Sequence, residues 1–230
     1  MNLKKGNRTD LNVSNFKIGL GWDPSTGDYE EFDLDVSAFI LNQSGKVLFD
    51  GTPNGENYIV YYNSDYRILP ENLIRRDYRL EPYDDVKYPN KEDDYRVKTR
   101  PVSPDFAVIG SIDDKTGNVS DGDDDEDMLI DLGKIHPSAT EIIIVVSIYD
   151  AKDRNNQNFG QVRNSYIRVV NNDTNQEILK YELDEDFSSE DAVEFGRLYK
   201  RNETWRFEAL GNGTNGGLEF YIKKYSSFLN

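Results

Sequence analysis

Residues Phe32–Leu41 read FDLDVSAFIL and residues Glu141–Ile148 read EIIIVVSI. The first alternates with a period of two, as a half-buried strand does. The second is a nearly continuous apolar run, as in a strand buried on both faces. Tyr58–Tyr62, YIVYY, belongs with the second kind. Further strands are expected at Phe16–Trp22, Lys46–Phe49, Met128–Leu132, Ser165–Val170, Glu177–Leu183 and Trp205–Leu210. Turn clusters such as Asn42-Gln43-Ser44-Gly45 and Asn171-Asn172-Asp173-Thr174-Asn175 separate them. Short strands at this spacing, about nine or ten of them, imply an all-β fold: an antiparallel two-sheet β-sandwich.

Two segments read as helix. Ser188–Arg201 opens on Ser188 and Ser189 followed by Glu190 and Asp191, acids suited to a helix N-terminus, although Gly196 weakens the pattern. Leu218–Leu229 puts Leu218, Tyr221, Ile222, Tyr225 and Leu229 on one stripe and is expected to close the sandwich as a short C-terminal helix. Between them the elements read as a single domain over residues 1–230, with one departure. Asp65–Arg100 holds nine acidic and nine basic residues, five tyrosines and prolines at 70, 82 and 89. Lacking a period, it reads as an inserted surface excursion with a short helix near Pro70–Arg76. Its tyrosines and arginines are residue types that anchor interfaces.

The composition narrows the chemistry. The 230 residues carry 43 acidic and 27 basic side chains, for a net charge of -16, and include no cysteine and one histidine. Such acidity argues against a nucleic-acid or anionic-membrane surface, which needs Lys and Arg against phosphate. Without cysteine there is no thiolate catalysis and no thiol-rich zinc site. A single imidazole, His136, rules out a His-rich metal site and leaves little room for a Ser-His-Asp triad. No run approaches the roughly 18 apolar residues of a membrane span. The start, MNLKKGNRTDLNV, has no apolar core behind its lysines, so a cytoplasmic location is expected.

The acidity has a location. Asp113–Asp127, DDKTGNVSDGDDDED, holds eight carboxylates and one lysine. A solvated acidic run is the bland reading of such a composition, yet both ends lead into strands and Gly117 and Gly122 allow the backbone to wrap. Asp33 and Asp35 sit at i and i+2 of the alternating strand, so their carboxylates leave the same face. Oxygen donors from several segments, with neither Cys nor a second His, match Ca²⁺ better than any transition metal. An EF-hand is excluded: with Asp121, Asp123 and Asp125 at positions 1, 3 and 5, position 6 is Glu126 rather than glycine and position 12 is Leu132 rather than glutamate.

Spaced strings along nearly the whole chain resemble the TerD tellurium-resistance family. They run from Gly19-Leu20-Gly21-Trp22-Asp23 and Phe32-Asp33-Leu34-Asp35 through Tyr61-Tyr62-Asn63, Ser103-Pro104-Asp105 and Asp113-Asp114-Lys115-Thr116-Gly117. Asp124-Asp125-Glu126 and Gln157-Asn158-Phe159-Gly160-Gln161-Val162 follow, then Phe195-Gly196 and Gly216-Gly217-Leu218. The resemblance implies a calcium-binding β-sandwich whose metal ligands are Asp33, Asp35, Asp113, Asp114, Asp124, Asp125 and Glu126. It also implies a part in tellurite and chemical-stress resistance, in membrane-associated complexes with other Ter proteins. The family usually has Asn at Asp114 and glycines where Asp121 and Asp123 flank Gly122. With no cysteine to act as reductant, resistance would be indirect, and no enzyme is expected. A carboxylate-based, glycosidase-like hydrolase using Asp33 and Glu126 is the alternative. An anion site built on Arg163 and Arg168 is disfavoured, because the basic residues are scattered. In Gln157–Val162 the amides are expected to tie strand ends together while Phe159 packs. Trp22 and Trp205 are expected to be core aromatics.

Overall fold

The computed structural model describes residues 6–10, 13–24, 31–49, 51, 57–70, 81–82, 86, 89, 96–116, 124–183, 187–202 and 204–226. In chain order the strands are β1 (Arg8–Asp10), β2 (Asn15–Gly21), β3 (Leu34–Leu41), β4 (Ile59–Val60), β5 (Tyr66–Ile68), β6 (Glu81–Pro82) and β7 (Arg100–Pro101). They continue as β8 (Val108–Ile109), β9 (Glu126–Asp131), β10 (Glu141–Ile148), β11 (Tyr166–Asn171), β12 (Glu177–Glu182), β13 (Ala192–Arg201) and β14 (Thr204–Thr214). A 3-10 turn spans Phe159–Gln161, and an α-helix, Gly217–Tyr225, follows β14. No helix among the described residues is long and apolar enough to cross a membrane.

Two large antiparallel sheets carry the fold. One is six-stranded in the order β1-β14-β13-β10-β3-β4, the other five-stranded in the order β12-β11-β2-β9-β8. The core lies between them. Leu34, Val36, Ala38 and Ile40 alternate along β3, facing Phe16, Ile18 and Leu20 of β2 and Met128 and Ile130 of β9, all of them buried. The intervening side chains of β3 leave the opposite face, where Phe39 meets Tyr225 of the helix at a centroid distance of 5.4 Å. Both faces of β3 are therefore covered, which is why every residue from Leu34 to Leu41 is buried.

The Ser188–Arg201 stretch departs from its expected helix. Ala192–Arg201 is strand β13, paired with β10 on one side and β14 on the other. Two-sided burial of Ala192–Gly196 removes the alternation that would have marked a strand. Gly196 is required by packing: a Cβ there would lie 2.3 Å from the Phe207 ring. The acid expected to favour a helix N-terminus does so on a different helix, because Asp191 Oδ1 accepts a hydrogen bond from Gly217 N at 2.9 Å. Lys46–Phe49 is likewise no strand; it contributes one isolated bridge, Leu41 to Val47.

A small three-stranded sheet, β6-β5-β7, is formed from residues at the two ends and the middle of the 65–100 excursion. Arg67, 1% exposed, clamps it: Nε donates to Thr99 Oγ1, Nη2 to Thr99 O and Nη1 to Tyr62 O, each at 2.8 Å. All but Pro70 of the helix expected near Pro70–Arg76, the end of the expected helix beyond Ser226, and the acidic-loop residues 117–123 with Gly117, Asp121, Gly122 and Asp123 lie outside the described residues.

Candidate metal centre

Asp33 precedes β3 and Asp35 is its second residue. β3 pairs with β10 so that Asp35 stands opposite Ser147, and Tyr149 N donates to Asp33 O at 2.7 Å. This fixes both carboxylates at one end of the six-stranded sheet, on the face shared with Phe39. Asp113, arriving on the loop after β8, joins them. One oxygen from each of Asp33, Asp35 and Asp113 lies within 4.8 Å of the others. Asp33 and Asp35 are 4% and 3% exposed, and Asp33 Oδ1 accepts no hydrogen bond among the described residues.

Glu126 reaches the same end from the opposite sheet. It opens β9, whose buried positions alternate as Glu126, Met128 and Ile130, so its side chain points inward with the core residues. Its Oε2 accepts a hydrogen bond from Val36 N at 3.1 Å, linking the sheets across the sandwich. Asp114 Oδ1 accepts from Thr116 N at 3.0 Å and shapes the DDKT turn that delivers Asp113.

The other two expected ligands are engaged elsewhere. Asp125 Oδ2 accepts from Trp22 N at 2.8 Å. Asp124 lies over the opposite face of β2, between Lys17 Nζ at 2.8 Å and Arg168 Nε at 2.6 Å. Gly19, in register with Arg168, provides the room: a Cβ at Gly19 would sit 2.2 Å from the Asp124 carboxyl. Gly19→Ala is expected to push Asp124 off its two cations and destabilise the fold by about 1–3 kcal/mol, as overpacking does. Urea unfolding of the variant checks this; an unchanged midpoint would show that Asp124 shifts freely.

Burial sets the electrostatics of the cluster. Burial, and then the neighbouring Asp113, push the Asp33 carboxyl up to about 7 from its ordinary 3.8. Burial, and then Asp33, raise Asp35 well above the carboxylate range; burial, and then Asp35, do the same to Glu126. Asp124 behaves in the opposite way. Burial alone would raise it, but hydrogen bonds from Arg168 and Lys17 outweigh burial and hold it low.

A sign follows for stability. In the folded state Asp33 keeps its proton to about pH 7, whereas an unfolded aspartate gives it up near 3.8. The native state then binds more protons than the unfolded state between those values, so stability of the metal-free protein falls as pH rises through that window. Asp33→Asn removes the titrating group, and the slope should flatten. Urea midpoints measured from pH 4 to pH 8 in a chelating buffer would show it, and a midpoint rising with pH would contradict the assignment.

Several participants were not singled out from the sequence. A cavity of about 300 Å³ opens beside the carboxylates, and Arg96, Lys115 and Arg154 line it together with Tyr62 and Tyr149. The strings Tyr61-Tyr62-Asn63 and Asp113-Asp114-Lys115 held a partial signal. Arg96 belongs to the excursion whose tyrosines and arginines read as interface anchors; nothing near Arg154 carried a signal. In the Gln157–Val162 stretch Phe159 is fully buried, as expected, while the amides serve the 3-10 turn and the segment before β3: Asn158 N donates to Gln161 Oε1 at 3.0 Å, and Gln157 Nε2 donates to Glu31 O at 3.4 Å. His136 is exposed and its ring edge approaches Tyr58. Trp22 is buried in the core, and Trp205 packs against it while partly exposed.

Fold and site together define a two-sheet antiparallel sandwich with a buried, oxygen-only donor cluster at one end. The chain belongs to the TerD family: the family model described as TerD domain matches residues 1–71 and 99–225. The unmatched internal residues all fall within the excursion. The chain is 35% identical over 230 residues to the tellurium resistance protein TerD of Serratia marcescens, covering 98% of this chain and 96% of that one. It is 34% identical over 224 residues to general stress protein 16U of Bacillus subtilis, covering 95% and 93%. The crystal structure of a homologue of telluride resistance protein (TerD) from Streptomyces coelicolor A3(2) shares the fold. Its TM-score is 0.61 at 18% identity, with 95% of this chain and 99% of that one covered.

Proposed function

We propose that this chain is a calcium-binding module that serves tellurite and chemical-stress resistance without catalysing a reaction. The observation that carries the reading is the convergence of Asp33, Asp35 and Asp113 oxygens within 4.8 Å, with the buried Asp33 Oδ1 left without a hydrogen-bond donor among the described residues. A buried, unsatisfied carboxylate oxygen costs free energy unless something occupies it. An oxygen-only donor set fits a hard cation. Asp33, Asp35 and Asp113 would hold the ion, with Glu126 behind them and Asp114 setting the turn. Bound calcium would supply a fixed divalent charge where burial otherwise favours protons on Asp33, Asp35 and Glu126. Asp113 and its turn then present a surface that differs between the two states, the kind of switch a binding partner can read.

Relatives named for tellurium resistance and general stress support the role in resistance. The partners proposed are other Ter-type stress proteins, in cytoplasmic assemblies that reach the membrane through them. The hydrolase alternative gains no support. Glu126, 3% exposed, accepts from Val36 N and stands away from the solvent that would deliver a hydrolytic water. Calorimetric titration of the metal-stripped protein with Ca²⁺ and Mg²⁺ tests the reading. A saturable Ca²⁺ isotherm, weaker with Mg²⁺ and lost in Asp35→Asn, is expected. Flat isotherms for both ions would overturn it.

A further inference from the structure

The carboxylate cluster has a cationic wall whose geometry is as defined as its own. The Arg96 guanidinium lies over the Tyr62 ring at 4.9 Å, and the Arg154 guanidinium over the Tyr149 ring at 5.3 Å. The two tyrosines meet edge to face at 5.2 Å. The result is an Arg-Tyr-Tyr-Arg array, with both guanidinium groups held over ring faces. Each end is further anchored. Arg96 Nη2 donates to Asn63 Oδ1, and Arg154 Nη1 donates to Glu31 O at 3.3 Å. Arg154 Nη2 is 3.7 Å from Asp33 Oδ2, an ionic contact longer than a hydrogen bond. Lys115 lines the same cavity from the loop that carries Asp113.

The wall does more than moderate the acids. Arg154 and Arg96 favour the ionised forms of Asp33 and Asp35. Both guanidinium groups are also held over tyrosine rings at the edge of an open cavity. The cavity between them, about 300 Å³, is roughly ten times the volume a single water occupies and reaches the lower end of small-ligand sites. Along the cavity lining the carboxylates Asp33, Asp35 and Asp113, when ionised, equal the cations Arg96, Lys115 and Arg154 in number. A divalent cation tips that balance positive and makes the cavity attractive to an anion. Planar guanidinium edges suit an oxyanion with several acceptor oxygens.

We propose that Arg96, Arg154 and Lys115 form a binding site for a phosphate group, in the cavity beside Asp33, Asp35 and Asp113, and that phosphate and calcium bind cooperatively. The proposal rests on the calcium reading above. It adds a ligand class and assigns a role to Arg96, which lies in the part of the excursion that the family model does not match.

The test is a calcium titration of the full chain by calorimetry, alone and with glycerol 3-phosphate or inorganic phosphate, followed by flotation with vesicles of phosphatidylcholine with or without phosphatidic acid. Free phosphate should tighten calcium binding by on the order of tenfold, and calcium should tighten phosphate binding by the same factor. Arg96→Ala should abolish that gain while calcium alone binds as well as before or better, because a repelling charge has gone. Arg154→Lys, which retains charge and loses the planar fork, should lose most of the gain. Coupling by the soluble phosphates without flotation assigns the site to a free phosphate compound. Flotation that requires both calcium and phosphatidic acid assigns it to a lipid headgroup. Calcium binding that ignores phosphate, or coupling that survives Arg96→Ala, would overturn the proposal and leave the calcium reading standing. Absence of calcium binding in every arm would overturn both.

Discussion

Calcium added to the metal-stripped protein is expected to raise its unfolding temperature by about 5–10 °C at a free concentration near one hundred times the dissociation constant. Saturation of that degree stabilises a folded state by about 2.7 kcal/mol. For a chain of this size each kcal/mol moves the midpoint by about 2–4 °C. Asp33→Asn and Asp35→Asn should each remove the response, since both contribute an oxygen to the cluster. The variants carry a second signature. Above pH 7 the metal-free protein holds Asp33 ionised in a buried position where burial favours the proton. Asp33→Asn should therefore be at least as stable as the parent without calcium, and insensitive to it. Differential scanning calorimetry with chelator and with calcium reads both effects. A variant that lost stability equally in both conditions would show Asp33 to be a structural residue instead.

Asp124→Asn should behave in the reverse way, losing about 3 kcal/mol with or without calcium and keeping its calcium response. The Asp124 side chain is 1% exposed and ion-paired to both Lys17 and Arg168, whose side chains are each 24% exposed. Breaking a buried ion pair by removing one partner costs about 3–5 kcal/mol. The lower end applies here, because both cations retain some contact with water. Tyr166, whose hydroxyl also donates to Asp124 at 3.3 Å, would lose an acceptor. Denaturant unfolding with and without calcium checks the prediction. A calcium response abolished by Asp124→Asn would return Asp124 to the ligand set. The pair of variants separates two roles that the run Asp124-Asp125-Glu126 makes look alike.

That run shows where legibility stopped. Asp124, Asp125 and Glu126 are adjacent acids, yet one pairs with Lys17 and Arg168, one caps Trp22 N and one enters the core. Chemically alike neighbours carry no signal for which way each will point. That depends on the strand paired alongside, here β2 with Gly19 cleared for Asp124. Ser188–Arg201 failed for a related reason, because a strand buried on both faces loses its period. Arg96 was legible only as one arginine of an excursion rich in interface-type residues, because nothing local marks that it will meet Tyr62, far back in the chain; Arg154 was silent although Tyr149 is only five residues away.

The sequence alone determined the two-sheet architecture, since alternation in FDLDVSAFIL and apolar continuity in EIIIVVSI are local consequences of strand geometry and burial. It also determined the donor chemistry, because a chain without cysteine and with a single histidine has little but oxygen to offer a metal. It placed Asp33 and Asp35 on one face, a matter of period two. Only the tertiary structure decided which other acids meet them. Asp113 and Glu126 arrive because two sheets pack with their ends aligned, while Asp124 is drawn away by cations on the outer face of one sheet. Convergence and countercharge are properties of packing between segments distant in the chain, and no local pattern encodes them.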